Sequence, residues 1–599
     1  MLKHLRALFL VLLSLALISE SAYARKKKGV KVKPTDVIST TTDSGKSLDC
    51  ARIKGNWQPG KLKKRGKKYL FILESGSYKA KLKKLRAKKG RLSKKKYKKS
   101  LKKIKKLFRD KKTACRIPEE DSLAPHRGAL TRAQVKYLYE KAGLGVPDAT
   151  AYEVGTGSGA SALADYFLTY RSDPYASEAR RWLDEDFNVN NDFVTERGIQ
   201  LYALYILLNT PNQFHERLAF NFWHNYFATS MSVLSSSQRS LMFDHLNIMR
   251  WLARYGDFRT ALKKVTRDPV MLIWLSGADN TAQEPNENYA RELMELFTVG
   301  TEDSNGNRNY SETTVAQAAR ACTGWTVQQV DVGNDTVWAP VFSPVNFDNA
   351  PKTVFEGRPY QGTVTDDYSL IDHILDNHPE APRYLAKRIL MEYIREHPSE
   401  KLVSQLAKVI KDSNYNMNTV FKTLLSSRAF YADKNRDTIL KNPVHLMVEF
   451  IRSTGIPYDI GELRSGLYDS GMIIGQPPTV FGWDNPDWAT GQWKLRIANL
   501  ITQIVRNDGR HSDNNWSFRK LLPSAAPTEA ELIAHLEAML GVSLSSVQKT
   551  ALNDYLNNVI DWRGELVPQR WDPRVDSQVR AKVAGLLRII TSSVQFQSR

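Results

Sequence analysis

A run of charged residues sets the first chemical question. Glu287, Arg291 and Glu295 stand at i, i+4 and i+8, which on an α-helix lines them along one face. Asn288, Glu292 and Glu295 form an adjoining polar strip, while Leu293, Leu296 and Phe297 supply the apolar side that seats such a helix. Two arrangements fit: an exposed Glu-Arg-Glu ladder worth a few tenths of a kcal/mol per pair, or a buried functional charge cluster. The second component is Trp223-His224-Asn225 on an earlier helix. His224 is either a hydrogen-bonded core residue or, facing the carboxylates, a general acid/base or metal ligand. Arg217 lies two helical turns before it on the same face and suits a carboxylate or an anionic substrate. The catalytic candidates are therefore His224, Glu287, Arg291, Glu292 and Glu295. The binding candidates are Arg217, Trp223, Asn225 and Asn288.

Other chemistries find no support. The Glu-x-x-His pairs of di-iron bundles are absent, as is a His-x-x-x-His zinc pair. No Gly-x-Ser-x-Gly elbow, phosphate-binding glycine loop or dinucleotide fingerprint occurs, nor a Cys-x-x-Cys-His haem attachment. Metal and cofactor stay open. Asp303 to Glu312 is polar enough for calcium, but its spacing misses the EF-hand pattern and it reads as a plain loop. Trp483, Trp488 and Trp493 either stack on sugar rings or plug a core, and the core reading is preferred.

The elements that carry these residues divide by charge. Residues 1–24 read as a signal peptide, with Lys3, His4 and Arg6 ahead of an apolar run from Ala7 to Ile18 and a cleavage site at Ala22-Tyr23-Ala24. The expectation is an exported protein, periplasmic or secreted, with no transmembrane segment in the mature chain. Residues 25–116 hold 36 Lys+Arg against 5 Asp+Glu, net +31, and residues 117–599 hold 49 against 57, net −8. Within the basic part, 25–49 reads as a flexible linker rich in Lys, Ser and Thr. Residues 50–118 read as a lysine-rich module: a short strand at Tyr69 to Leu73, then two amphipathic helices. The helices follow the stripes Tyr78, Leu82, Leu85 and Tyr97, Leu101, Ile104, Phe108, separated by Gly90. A Cys50–Cys115 disulfide would close the module in an oxidising compartment, stabilising it by roughly 4 kcal/mol. Lys94, Lys95, Lys98, Lys99, Lys102 and Lys105 lie on the second helix and are the candidate polyanion contacts. Cys322 reads as a small buried residue.

From Leu130 onward apolar residues recur at three- and four-residue spacing, which predicts an all-α, multi-helix body over 119–599 with long polar loops at 276–288, 301–310, 331–364 and 471–492. Helices are expected over 199–208, 216–227, 285–297, 313–322, 381–394 and 444–453, with room for a small hairpin in 331–364. The run Glu216 to Ser230, centred on Trp223-His224-Asn225, is similar to the tryptophan-histidine-asparagine helix of the bacterial domain-of-unknown-function 1800 (DUF1800) family. The run Pro285-Asn286-Glu287-Asn288-Tyr289-Ala290-Arg291-Glu292-Leu293-Met294-Glu295-Leu296-Phe297-Thr298-Val299-Gly300 resembles its signature. Tyr310, Ala319 to Trp325, His378-Pro379, Ala386-Lys387-Arg388, Lys441-Asn442-Pro443, Gly475-Gln476-Pro477-Pro478, Gly482-Trp483 and Ser592 to Gln597 follow in the family's order. The resemblance runs from about residue 130 to the C-terminus, which leaves the basic part as an addition of this chain. Two positions depart from the pattern: Tyr226 stands in place of a second histidine, and Phe347-Asp348 in place of a histidine-aspartate pair. Both weaken a histidine-rich metal site. The resemblance implies an exported protein and a protein partner from a neighbouring uncharacterised family that resembles alkaline phosphatases.

Two functions remain in view. One is an envelope or extracellular binding or assembly role, the basic module contacting an acidic polymer or anionic envelope surface without specific nucleic-acid recognition. The other is an exported enzyme acting on an envelope or extracellular polymer through a His/Glu acid–base or metal centre.

Overall fold

The computed structural model describes residues 37–41, 47–53, 56–65, 68–73, 119 and 335 as backbone, and 120–175, 195–333, 336–483, 490–506, 516–561 and 563–599 in full. The expected signal peptide, the two expected lysine-rich helices with the six named lysines, and Cys115 lie outside the described residues. The chain divides into two compact units, Ala16–Ser122 and a larger one containing Leu123–Arg599.

The smaller unit contains an antiparallel meander of four strands: β1 (Val37–Thr41), β2 (Ser47–Ile53), β3 (Asn56–Arg65) and β4 (Lys68–Leu73). Ile38 pairs with Cys50, Cys50 with Pro59, and Lys61 with Ile72. The expected strand at Tyr69 to Leu73 is β4. The linker reading of 25–49 needs correction, because β1 and the start of β2 fall inside it. Val-Ile-Ser-Thr-Thr is rich in β-branched residues, and strand pairing outweighs its polar composition.

The larger unit is helical, with short two-stranded sheets on its loops. The helices form where the apolar spacing places them: Glu196–Asn209, Glu312–Ala321, Ala381–Tyr393 and Pro443–Thr454. Local signals set their ends. Asn442 caps the last of these by accepting from the His445 N–H, Pro443 occupies the first turn, and Gly455 closes it at φ 62°. The polar stretch 331–364 holds more than one hairpin: β5 (Trp325–Val332) pairs with β6 (Asp335–Phe342), and β7 (Lys352–Val354) with β8 (Gly362–Val364). Among the described residues no helix is long and apolar enough to cross a membrane.

Two apolar cores fill this unit. One gathers residues between Leu123 and Tyr431, the other joins the Glu196–Asn209 helix to side chains from Val444 to Phe596. The tryptophan helix lies along their seam. Its Phe214, Leu218, Trp223 and Phe227 belong to the first core and its Phe220 to the second. A helix buried on several sides must satisfy its polar side chains internally, and this seam is where the buried charges collect.

Candidate functional site

Both helices that carry the candidate residues change winding partway. The tryptophan helix runs as α over Gln213–Arg217, as π over Leu218–Trp223 and again as α over His224–Tyr226, with the His224 N–H donating to the Ala219 carbonyl. The glutamate helix is α over Asn288–Glu292 and π over Leu293–Thr298, where Thr298 Oγ1 donates to the Leu293 carbonyl at 2.6 Å. A π segment bonds i to i+5 and so rotates the following side chains off the faces that α spacing assigns them; such segments concentrate at functional sites.

The consequence for the glutamate helix is a split cluster. Arg291 pairs with Glu287 at 2.9 Å across one α turn, and its second carboxylate is Glu312 at 2.9 Å rather than Glu295. These side chains are partly exposed, so Glu287 and Arg291 form a surface ladder with Asn288 beside them, and Asn288 contributes only a backbone N–H to Asn286 Oδ1. Glu295 accepts from the Tyr310 hydroxyl at 3.3 Å. Glu292 Oε2 is buried with no hydrogen-bond partner. Burial first, then the Glu295 charge, push its carboxyl up to about 7. Two carboxyl groups in unlike surroundings, one titrating near neutrality and one hydrogen-bonded by a phenol, can take up and release a proton.

On the tryptophan helix the four candidates part company. Arg217 is fully buried, donates to Glu392 Oε1 at 2.6 Å and lies 5.0 Å from the Tyr393 ring centre. His224 is also fully buried, but its Nε2 accepts from the Gly475 N–H at 3.0 Å, so the neutral ring carries its proton on Nδ1. Its ring stands edge-on to His245, whose Nδ1 bonds Asp268 Oδ2 at 2.7 Å, and to Trp483. Burial holds the imidazole well below its ordinary pKa. Among the described residues His224 makes no hydrogen bond or ion pair to Glu287, Glu292 or Glu295, so the paired centre expected from the sequence does not form. The π segment between Arg217 and His224 also ends the shared face that seven-residue spacing promised. Trp223 packs into the first core against Phe222, Tyr226 and Phe258. Tyr226 ties the two helices, its hydroxyl donating to the Phe297 carbonyl at 2.9 Å, beside the edge-on contact of the Phe227 and Phe297 rings. At the position where a second histidine was expected, this tyrosine is a structural tie.

Asn225 leads to a different place. Its Oδ1 accepts from the Trp483 N–H at 2.7 Å, and it lines a narrow cavity of about 20 Å³ with Asn221, Asn442, Glu392, Trp483 and Arg599. That volume admits about one water molecule. Glu392 is clamped by Arg217 and by Arg599 Nη2 at 2.5 Å. Behind them Arg599 Nη1 donates to His445 Nδ1 at 2.7 Å, and Lys441 pairs with Glu449 at 2.9 Å, both side chains buried. The segments that carry the family resemblance thus converge here: the tryptophan helix, Lys441-Asn442-Pro443, Gly475 to Pro478 and Gly482-Trp483. Glu392, His445, Glu449, His245 and Asp268 match no motif in sequence, and the partners that define them come from other segments: Arg217 and Arg599 for Glu392, Arg599 for His445, Lys441 for Glu449, and Asp268 for His245.

Several secondary expectations resolve in the same geometry. Trp483 and Trp493 are buried in the second core, while Trp488 lies outside the described residues. Cys322 is buried and its thiol is pushed up by burial, as befits an inert core residue. Asp348 bonds Arg320 at 2.7 Å. No group of three or more His, Cys, Asp or Glu able to hold a metal occurs among the described residues.

Comparison with curated proteins and with solved structures finds no match. The model of a family described as a protein of unknown function (DUF1800) matches residues 92–598. The match opens within the lysine run, so the last quarter of the basic part, residues 92–116, falls inside the family's extent and is no addition peculiar to this chain. With nearly the whole helical body covered, the chain belongs to the DUF1800 family.

Proposed function

We propose that this is an exported two-part protein whose lysine-rich unit attaches to a polyanionic envelope or extracellular surface while the helical body docks a partner there. The observation that carries the reading is the coincidence of charge and architecture. The +31 of residues 25–116 falls within a compact unit, Ala16–Ser122, that is separate from the mildly acidic body. Concentrated charge of one sign on its own unit favours electrostatic attachment to acidic polysaccharide, lipopolysaccharide phosphates or anionic lipid. A protein of the neighbouring alkaline-phosphatase-like kind is the candidate for docking. The test is retention on a heparin-like polymer as salt is raised, for the mature chain and for a chain lacking residues 25–116. Loss of salt-dependent retention on deletion supports the reading, and equal retention sinks it.

A second reading is favoured by Glu292. A carboxyl that titrates near 7 beside Glu295 and Tyr310 supports acid–base chemistry on an extracellular polymer, with His224 outside that centre. A folded Glu292→Gln variant with an unchanged phenotype would remove it.

A further inference from the structure

We propose that the body carries a second, unassigned binding site for a single acidic sugar unit, in the cavity of about 450 Å³ beside the 303–309 turn. That volume lies in the range of small-ligand pockets, unlike the water-sized cavity at the seam.

The walls are held in place before any ligand arrives. Asp303 accepts from the Asn305 and Asn307 backbone N–H groups and from Asn307 Nδ2, which fixes the turn and holds its carboxyl down at about 2. Asn309 Nδ2 donates to the Val299 and Gly300 carbonyls, tying the turn to the end of the glutamate helix. The Asn309 carbonyl in turn accepts from the Tyr360 hydroxyl at 3.4 Å and faces His378 Nε2 at 3.2 Å. Tyr360 and His378 are packed ring to ring, 4.2 Å between centres.

The lining then selects the ligand by charge. Arg308 and Arg358 both line the cavity, and neither guanidinium has an ion-pair partner among the described residues. Arg358 spends one N–H on the Arg308 carbonyl at 3.0 Å. The two carboxylates of the lining are already engaged, Asp303 by its own turn and Glu380 by Arg383 at 3.2 Å. A ligand carboxylate or sulfate finds two guanidinium groups without an ion-pair partner among the described residues, Arg358 still holding the Arg308 carbonyl with one N–H. Asn307 and the outer lone pairs of Asp303 and Glu380 can still accept from hydroxyl groups, and Tyr360 with Pro379 offers an apolar wall for a ring. An anionic, hydroxyl-rich six-membered ring meets all three demands. The site lies outside the lysine-rich unit, so it and the attachment reading can fail separately.

The test is binding of galacturonic acid, galactose and inorganic sulfate to the full mature chain, followed by ligand-observed NMR or calorimetry. Four proteins are compared: wild type, Arg308→Ala, Arg308→Ala with Arg358→Ala, and a chain with Lys94, Lys95, Lys98, Lys99, Lys102 and Lys105 changed to Gln. Among the described residues the Arg308 side chain makes no hydrogen bond or ion pair, and the contact Arg308 does make, through its backbone carbonyl to Arg358, survives in the single variant, so that variant should keep the fold. Galacturonic acid should bind wild type and the lysine variant alike, lose affinity in Arg308→Ala, and lose about tenfold or more in the double variant. Galactose should bind more weakly than galacturonic acid. Equal binding by wild type and the double variant overturns the site. Sulfate binding as tightly as galacturonic acid overturns the sugar assignment, and loss in the lysine variant assigns the binding to the basic unit instead.

Discussion

Glu292→Gln tests the acid–base reading through stability alone. The carboxyl of Glu292 is raised from the ordinary 4.5 to about 7 because Oε2 is buried without a donor and Glu295 is near. Arg291, which would offset this, is engaged by Glu287 and Glu312. The folded state therefore binds this proton more tightly than the unfolded chain does. Stability from this group is full below pH 4.5 and is lost as the pH rises through 7. The full shift corresponds to about 3.4 kcal/mol at 1.36 kcal/mol per unit, and the half-exposed side chain reduces that by solvent screening to about 1–2 kcal/mol. Glutamine has the same shape and cannot ionise. The variant should accordingly be more stable than wild type by about 1–2 kcal/mol at pH 8 and show no gain at pH 4.5, measured by urea unfolding. An identical difference at both pH values, or a loss at pH 8, would refute the reasoning.

Three more outcomes follow from the seam and the loops around it. Glu449→Ala leaves Lys441 charged and buried without its partner, so unfolding free energy should fall by about 3–5 kcal/mol, while Lys441→Met with Glu449→Leu should recover most of it; equal losses in single and double variants would show that the pair is not isolated. Gly482→Ala should cost clearly more than Gly564→Ala in denaturant melts. Both need φ above 80°, but a Cβ at 482 would sit 2.0 Å from Asn225 Oδ1 and 2.8 Å from the Asn225 carbonyl, whereas at 564 it meets nothing within 4 Å; the control should lose about 1–2 kcal/mol. Burial lowers the His215 imidazole to about 4, so its contribution is full above pH 6.5 and is lost as the pH falls toward 4. His215→Phe should flatten the stability change between pH 7 and pH 5 by about 2 kcal/mol, and an unchanged slope would count against a buried neutral ring.

Much of the architecture was legible in the sequence because helices are written locally. The apolar spacing at 199–208, 381–394 and 444–453 marked real helices to within a few residues, and Asn442-Pro443 with Gly455 marked both ends of one. Charge gave the two-part division, since a count along the chain needs no coordinates. The site was legible only in its parts. Glu292 and Glu295 were read as catalytic candidates and Asn225 as a binding candidate from their types and positions, yet the shared faces were inferred from α-helical spacing, and both helices carry a π segment that breaks it.

Sequence by itself therefore determined the helical class, the family and the charge division, because each depends on composition or on short-range periodicity. Tertiary structure decided the partners. His224 found His245 and the Gly475 N–H, Arg217 found Glu392 from 175 residues away, and Glu392 found Arg599 from 207 residues away. Such pairings are set by how two apolar cores close on a shared seam, where packing delivers a counter-charge to Arg217 and Lys441 but only a hydroxyl and backbone carbonyls to Lys141, and no spacing along the chain encodes that choice.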